Sequence, residues 1–278
     1  MRLRVLKLLS MSIMIFMLAG LISACGSSGY TIGVVTGTTF EAEANKLNLV
    51  KEVKLYKDDT LTLWELSNGR LDGVITDRMV GAIGIKNGGY DNLRLAGELL
   101  YKEVIAVAVR QEDKSLRQAI NKALKEIIED GTYASISKKY FDVDILEGVE
   151  YAKTHAGEEE ASDGSLQRVK DAGKIVFAMS GGYPPFNYFD DGDQLTGFDV
   201  DIGREVAKRL GVEYEPVTTD WNGILEGLRS SRYDGIFGSM AITEERMEVV
   251  DFTDPYYYSG AQLIVAKDSN LQGPEDLE

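Results

Sequence analysis

Cysteine and histidine are almost missing from this 278-residue sequence, which has one of each. A single cysteine, Cys25, rules out an intramolecular disulfide. The single histidine, His155, lies in a polar, acidic stretch, which argues against a catalytic or metal-binding role and leaves no histidine for a nucleophile–base pair. Basic residues are also scarce. With 30 Lys and Arg against 45 Asp and Glu, the formal charge is −15, so no basic surface can displace counterions from phosphates and nucleic acid is excluded as a partner. Only 5 prolines occur, and the 44% hydrophobic and 27% charged residues mark a globular chain. The glycine-containing stretch "GVVTGTT" lacks the lysine of a phosphate-binding loop. "DDGDQLTG", from Asp190, lacks the spacing and terminal Glu of a calcium-binding EF-hand loop and is better explained as a hairpin turn.

What is present starts with a targeting pattern. Arg2, Arg4 and Lys7 precede an apolar run from Leu8 to Leu21 that is short for a membrane span, followed by the small-residue site "LISAC". Residues 1–24 are expected to be a signal peptide and 25–29 a short tether. Beyond them strands and helices alternate. "YTIGVV", "LDGVITD", "KIVFAM", "VEYEPV" and "YDGIFGSM" are predicted strands; "TLTLWELSNG" and "WNGILEGLRSS" are predicted helices. Ile202, Val206 and Leu210, at spacing four, mark one face of a helix that Gly211 closes. Arg70-Leu71-Asp72-Gly73 and Arg232-Tyr233-Asp234-Gly235 repeat one pattern, each after a helix and before an apolar strand, which predicts two similar α/β lobes. In open α/β sheets ligands sit beyond the carboxyl ends of strands. That directs attention to Thr76 and Asp77, and to Gly238, Ser239 and Met240. Residues 148–165, polar and without periodicity, are expected to be a linker.

Several separate stretches carry a resemblance. "YPPFNYFDDGDQLTGFDVDIGREVAKRLG", "SMAITEERMEVVDFTDPYYYSG", "IGVVTGTT" and "EDGTYASISKKYF" resemble the extracellular amino-acid-binding proteins of ATP-driven importers. The resemblance implies an α/β fold of two lobes joined by a hinge, the type II periplasmic-binding-protein or Venus-flytrap fold. It also implies a free amino acid as ligand, a membrane permease with separate ATPase subunits as partners, a monomer, no cofactor and no metal. Ile22-Ser23-Ala24-Cys25 resembles the bacterial lipobox, which implies lipidation of Cys25 and a membrane anchor outside the cytoplasmic membrane.

The motifs stand in a different order from the family's, which runs from the "YPPF" lobe across the hinge into the "GTT" lobe and back. Here residues 30–102 match the second lobe, 103–147 the return to the first lobe and its last helices, 166–264 the first lobe, and 265–278 a hinge crossing and tail. The closing "GPEDLE" starts a helix with Pro274 at an early position and acids where the dipole favours them. Joined to Gly29, it resembles the family's continuous passage between lobes. The expectation is therefore a circular permutant, with the linker, up to roughly 50 Å long if extended, bridging the family's usual termini.

By the same resemblance, Arg246 of "ITEER" grips a ligand carboxylate through its planar fork, and Asp77 of "GVITD" takes the ammonium from the other lobe. Thr38 and Thr39 donate to the carboxylate by amide and hydroxyl, and Gly238, Ser239 and Ala241 contact the amino-acid backbone. Tyr183 and Trp221 sandwich the ligand side chain, although both also fit as core aromatics. Ser180 stands where binders of basic amino acids often carry Asp, which leans toward an uncharged polar ligand. A dehydratase on the same fold and a sensory ligand-binding domain are the alternative functions. Against the first, no nucleophile–base pair is found; against the second, there is no further membrane span or signalling domain.

Overall fold

The computed structural model describes residues 29–149, 155 and 157–278. The expected signal segment, Cys25 and all of the tether but Gly29 lie outside these residues. Among the described residues no helix is long and apolar enough to cross a membrane.

The first half of the chain alternates β1 (Tyr30–Val35), α1 (Thr39–Ala44), β2 (Val50–Tyr56), α2 (Asp59–Ser67), β3 (Gly73–Asp77) and α3 (Arg78–Asn87), then runs into the long strand β4 (Leu93–Val109). Helices α4 (Lys114–Glu129), α5 (Thr132–Phe141) and α6 (Ser165–Ala172) follow. The second half has β5 (Lys174–Met179), the short strands β6 (Gly182–Tyr183), β7 (Asn187–Phe189) and β8 (Leu195–Thr196), α7 (Phe198–Leu210) and β9 (Glu213–Thr218). A 3₁₀ turn (Trp221–Gly223) leads into α8 (Ile224–Arg229), then β10 (Gly235–Ala241), α9 (Glu244–Met247), β11 (Asp251–Phe252), β12 (Tyr257–Ala266) and a last 3₁₀ turn (Pro274–Leu277).

Among the described residues nine strands form one sheet in the order β2-β1-β3-β12-β4-β10-β5-β9, with β11 also on β4. β1 is parallel to β2 and β3, and β5 is parallel to β9 and β10. β3 and β10 are buried along their whole length, as befits largely apolar central strands covered on both faces. Between these groups the antiparallel pair β4 and β12 belongs to both, so there are two lobes and a two-stranded hinge. The core divides accordingly. Ile32, Val34, Ile75, Leu263 and Leu277 pack in the second lobe, and Ile120, Phe177, Phe198 and Phe237 in the first.

The Arg-x-Asp-Gly repeat has one structural meaning in both lobes. Asp72 Oδ2 accepts from the amide of Thr31 at 2.7 Å, and the Asp72 amide donates back to the Thr31 carbonyl at 2.9 Å. Asp234 does the same with Val176, at 2.9 and 2.8 Å. In each lobe the aspartate before the third strand thus fastens the first, β1 or β5.

One expected boundary shifts. β12 already pairs with β3 from Ala261 (opposite Asp77) to Ile264 (opposite Val74), so the first lobe ends before the expected boundary at 264. The crossing is where Tyr258 to Ala261 face Val104 to Tyr101. The described stretch 157–165 of the expected linker is fastened to α4. Gln118 exchanges hydrogen bonds with the Glu159 carbonyl and the Ala161 amide at 2.8 Å each, and Glu158 pairs with Arg117. Asp163 accepts from the amide of Ser115 at 2.7 Å and Ser165 Oγ from that of Leu116 at 3.0 Å. These bonds cap α4, whose own N-cap Asp113 makes no side-chain capping bond. His155 stands with Nδ1 3.2 Å from Asp254 Oδ1.

"DDGDQLTG" forms the predicted hairpin. β7 and β8 pair antiparallel, and Asp190 Oδ1 accepts from the amides of Gly192 and Gln194 at 2.9 Å each.

Candidate functional site

A cavity lies between the lobes beyond the carboxyl ends of β1, β5 and β10. Nine of the ten predicted ligand-binding residues line it: Thr38, Thr39, Ser180, Tyr183, Trp221, Gly238, Ser239, Ala241 and Arg246. The lobes approach closely around it. The Trp221 indole N–H donates to the Gly37 carbonyl of the facing lobe at 3.2 Å. A Cβ added to Gly182 would stand 2.7 Å from that of Asp58, so only glycine permits this approach.

Arg246 is 8% exposed. Thr243 caps the short helix α9 that carries it, accepting from the Arg246 amide at 3.2 Å. One guanidinium nitrogen donates to the Ala241 carbonyl at 2.8 Å, and no carboxylate lies within ion-pair distance among the described residues. Trp221 faces the guanidinium, which lies 5.8 Å from its ring centre. It is half-buried at the edge of the first-lobe core, so it lines the cavity as well as packing. Tyr183 stacks on Phe186 with ring centres 5.5 Å apart.

The bulge at the end of β10 has a built support. The pairing of β10 with β4 shifts register between Ile236 and Met240, and Ser239 sits at φ 59°, a conformation that costs an L-residue about 1 kcal/mol or more. Asp199 offsets that cost. Its buried carboxylate accepts from Asn187 Nδ2 and Ser239 Oγ at 2.8 Å each and from the Tyr256 hydroxyl at 2.7 Å. That hydroxyl in turn accepts from the Ser239 amide at 3.0 Å. Burial raises Asp199 to about 7 against the pull of those three donors.

Several predicted hydroxyl contacts are already committed. Thr38 Oγ1 donates to the Val35 carbonyl at 2.6 Å and accepts from the Glu41 amide, and Thr39 Oγ1 donates to Glu103 at 2.5 Å. The hydroxyl donation expected of both is thus taken up within the protein, which leaves their amides at the start of α1, where no intrahelical acceptor exists. Ser180 Oγ donates to Asn187 at 3.0 Å, and that of Ser239 to Asp199.

Asp77 departs most from expectation. It does not line the cavity; it is 1% exposed and caps α3, with Oδ1 accepting from the amides of Met79 at 2.7 Å and Val80 at 3.4 Å. Its other oxygen is buried with no hydrogen-bond partner among the described residues. Burial raises it to about 6, opposed by Ser259 and the two amides. Its charge is close enough to raise the pKa of Glu103 and of Tyr183, which do line the cavity.

Sequence reasoning missed the cavity's own acids. Glu103 on β4, 6% exposed, and Asp59 at the start of α2, 3% exposed, both line it. Burial pushes each to about 7, against hydrogen bonds from Thr39 and Thr76 respectively. Thr76 Oγ1 holds Asp59 Oδ1 at 2.5 Å. Asp58 and Lys57 complete this end of the lining.

The described family of bacterial extracellular solute-binding proteins, family 3, matches this chain over residues 15–143 and 175–273. An L-cystine-binding protein of Escherichia coli K12 is 38% identical over 120 residues, 42% of this chain and 45% of its own. An arginine-binding extracellular protein of Bacillus subtilis is 31% identical over 141 residues, 51% of this chain and 53% of its own. The chain spans about half the length of the curated relatives it matches. Among solved structures, that of a mutant of ArgBP from T. maritima is 39% identical over 33% of this chain and 40% of its own, with a TM-score of 0.33.

Proposed function

The chain belongs to the bacterial extracellular solute-binding proteins, family 3, and from that premise we propose that it captures a free amino acid between its lobes and delivers it to the permease of an ATP-driven importer. The observation that carries this reading is Arg246, a buried guanidinium in the cavity wall with one carbonyl as its hydrogen-bond partner among the described residues. Buried charges need partners, and a planar fork is suited to a carboxylate. Glu103 faces the same space from the hinge, with the unpartnered Asp77 oxygen close by. A zwitterion with its carboxylate on Arg246 and its ammonium on the Glu103–Asp77 pair bridges the two lobes and so selects the closed arrangement.

Calorimetric titration of the purified protein with the standard amino acids tests this reading. Saturable one-to-one binding is expected, and Arg246→Ala is expected to weaken it by more than about 2 kcal/mol. Unchanged affinity in that variant would refute the site.

The anchor and the segment order are parts of the same proposal. Acylation of Cys25 predicts a membrane-bound protein whose tryptic N-terminal peptide carries lipid, with a monomeric folded body. The permuted order is supported by the tail. Leu277 is buried in the second-lobe core, and its carbonyl accepts from the Leu49 amide at 3.0 Å, while the Leu49 carbonyl accepts from Tyr30 at 2.8 Å. Residue 278 and Gly29 thus approach the same loop. A chain rejoined there and reopened in the linker is expected to bind ligand more tightly, because both hinge strands are then continuous into the second lobe. Equal affinity would mean the junction contributes little.

A further inference from the structure

This inference rests on the amino-acid reading of the cavity and concerns which class of amino acid it takes. A zwitterion brings one positive and one negative charge. Arg246 answers the carboxylate, and Glu103 with Asp77 answers the ammonium. Asp59 then remains: 3% exposed, in the cavity wall, with a hydrogen bond from Thr76 to one oxygen and none to the other among the described residues. Its location is fixed from both sides. Asp58, the preceding residue, abuts Gly182 of the facing lobe, which sets the start of α2 opposite the turn that holds Ser180 and Tyr183. Arg246, Ala241 and Trp221 are grouped together by the Ala241 hydrogen bond and the ring contact, and no such contact reaches Asp59.

We propose that the ligand is a dibasic amino acid, with a cationic group at the end of its side chain, and that Asp59 is the residue that selects it. Among the described residues, the buried charged groups that line the cavity are the acids Asp59 and Glu103 and the one cation Arg246, with Asp77 buried close to Glu103. A neutral side chain leaves Asp59 desolvated with no countercharge, which is the costly case, whereas an ammonium or guanidinium supplies one and can donate directly to the free oxygen. Lys57 is exposed and is no substitute for a buried partner. Tyr183 and Trp221, which also line the cavity, offer aromatic faces to the side chain on the way, a surface that suits a cation as well as an apolar stem. The neutrality of Ser180 is consistent with this assignment, since its hydroxyl is spent on Asn187 and the acid at this end comes from the opposite lobe.

The test compares L-arginine and L-ornithine with L-citrulline, which replaces the guanidinium by a neutral group of the same shape, in calorimetric titrations of the full protein and of Asp59→Asn. The expected result is wild-type binding of a dibasic ligand at least about tenfold tighter than citrulline, with that preference largely lost in Asp59→Asn while citrulline changes by less than about twofold. The wild-type comparison stands by itself if the variant fails to fold. Equal or tighter binding of citrulline or another neutral amino acid by the wild type overturns the assignment but leaves amino-acid capture intact. A folded wild-type protein that binds no amino acid overturns both.

Discussion

The indole N–H of Trp221 and the carbonyl of Gly37, 3.2 Å apart, belong to different lobes, so their hydrogen bond exists only while the lobes are together. Trp221→Phe keeps an aromatic ring and removes the donor. Ligand affinity is expected to fall by about 1 kcal/mol, the usual worth of one such bond, with global stability nearly unchanged. The chain has two tryptophans, and Trp64 is 43% exposed on the outer face of α2. Ligand-induced fluorescence change is therefore expected to survive Trp64→Phe and vanish in Trp221→Phe; the reverse pattern would contradict the latch.

Acid is expected to weaken binding and strengthen the ligand-free fold. Burial raises Asp59 and Glu103 to about 7 and Asp77 to about 6. A carboxyl group whose folded pKa exceeds its unfolded value contributes stability that is present below the unfolded value, near 4, and lost as pH rises through the folded one. Between pH 5 and pH 8 the ligand-free melting temperature is thus expected to decline on account of these groups. Affinity for a cationic ligand rises over the same window as they ionise. Melting curves with and without ligand at pH 5, 6, 7 and 8 check both trends, and a ligand-induced shift that shrinks toward pH 8 would sink the scheme.

Asp199→Ala removes one carboxylate and strands three donors, on Asn187, Ser239 and Tyr256. Each buried donor left unsatisfied costs about 1–3 kcal/mol, so a loss of at least about 3 kcal/mol is expected in urea unfolding. Binding is also expected to weaken at 25 °C in the fraction that remains folded, because Ser239 loses the support of its positive φ.

Asp163→Ala tests the linker. If this residue caps α4 through Ser115, its removal costs about 1 kcal/mol, as for other N-caps, and leaves ligand affinity unaltered. No loss of stability would mean that the linker only rests on the helix.

Much of this architecture was legible because it is local. The repeated Arg-x-Asp-Gly, the apolar strands after it, the Gly211 stop and the hairpin at Asp190 are each set by neighbours in sequence, and each appears where expected. Arg246 and Trp221 were legible through the motifs that hold them. The acids of the cavity were not. Asp59 and Asp199 stand in the first turns of helices, where the dipole alone accounts for a carboxylate, and neither Thr76 nor Tyr256 is near them in sequence. Glu103 sits in a strand whose pattern gives it no special status, since its burial arises only where β4 passes from one lobe to the other. Asp77 was identified at the right strand end, but its capping of α3 turns one oxygen away from the space it was expected to face.

The twin aspartate clamps have a mechanical consequence. Asp72 and Asp234 tie the first strand of each lobe from within that lobe, and neither bond touches the other half. Bending is then left to two short spans, Tyr101–Val104 and Tyr258–Ala261, which act as a leaf spring between stiff plates. Amide exchange would register this directly, with Thr31 and Val176 equally protected whether the plates stand apart or together, and any change on adding ligand confined to the spring and the lips of the cleft.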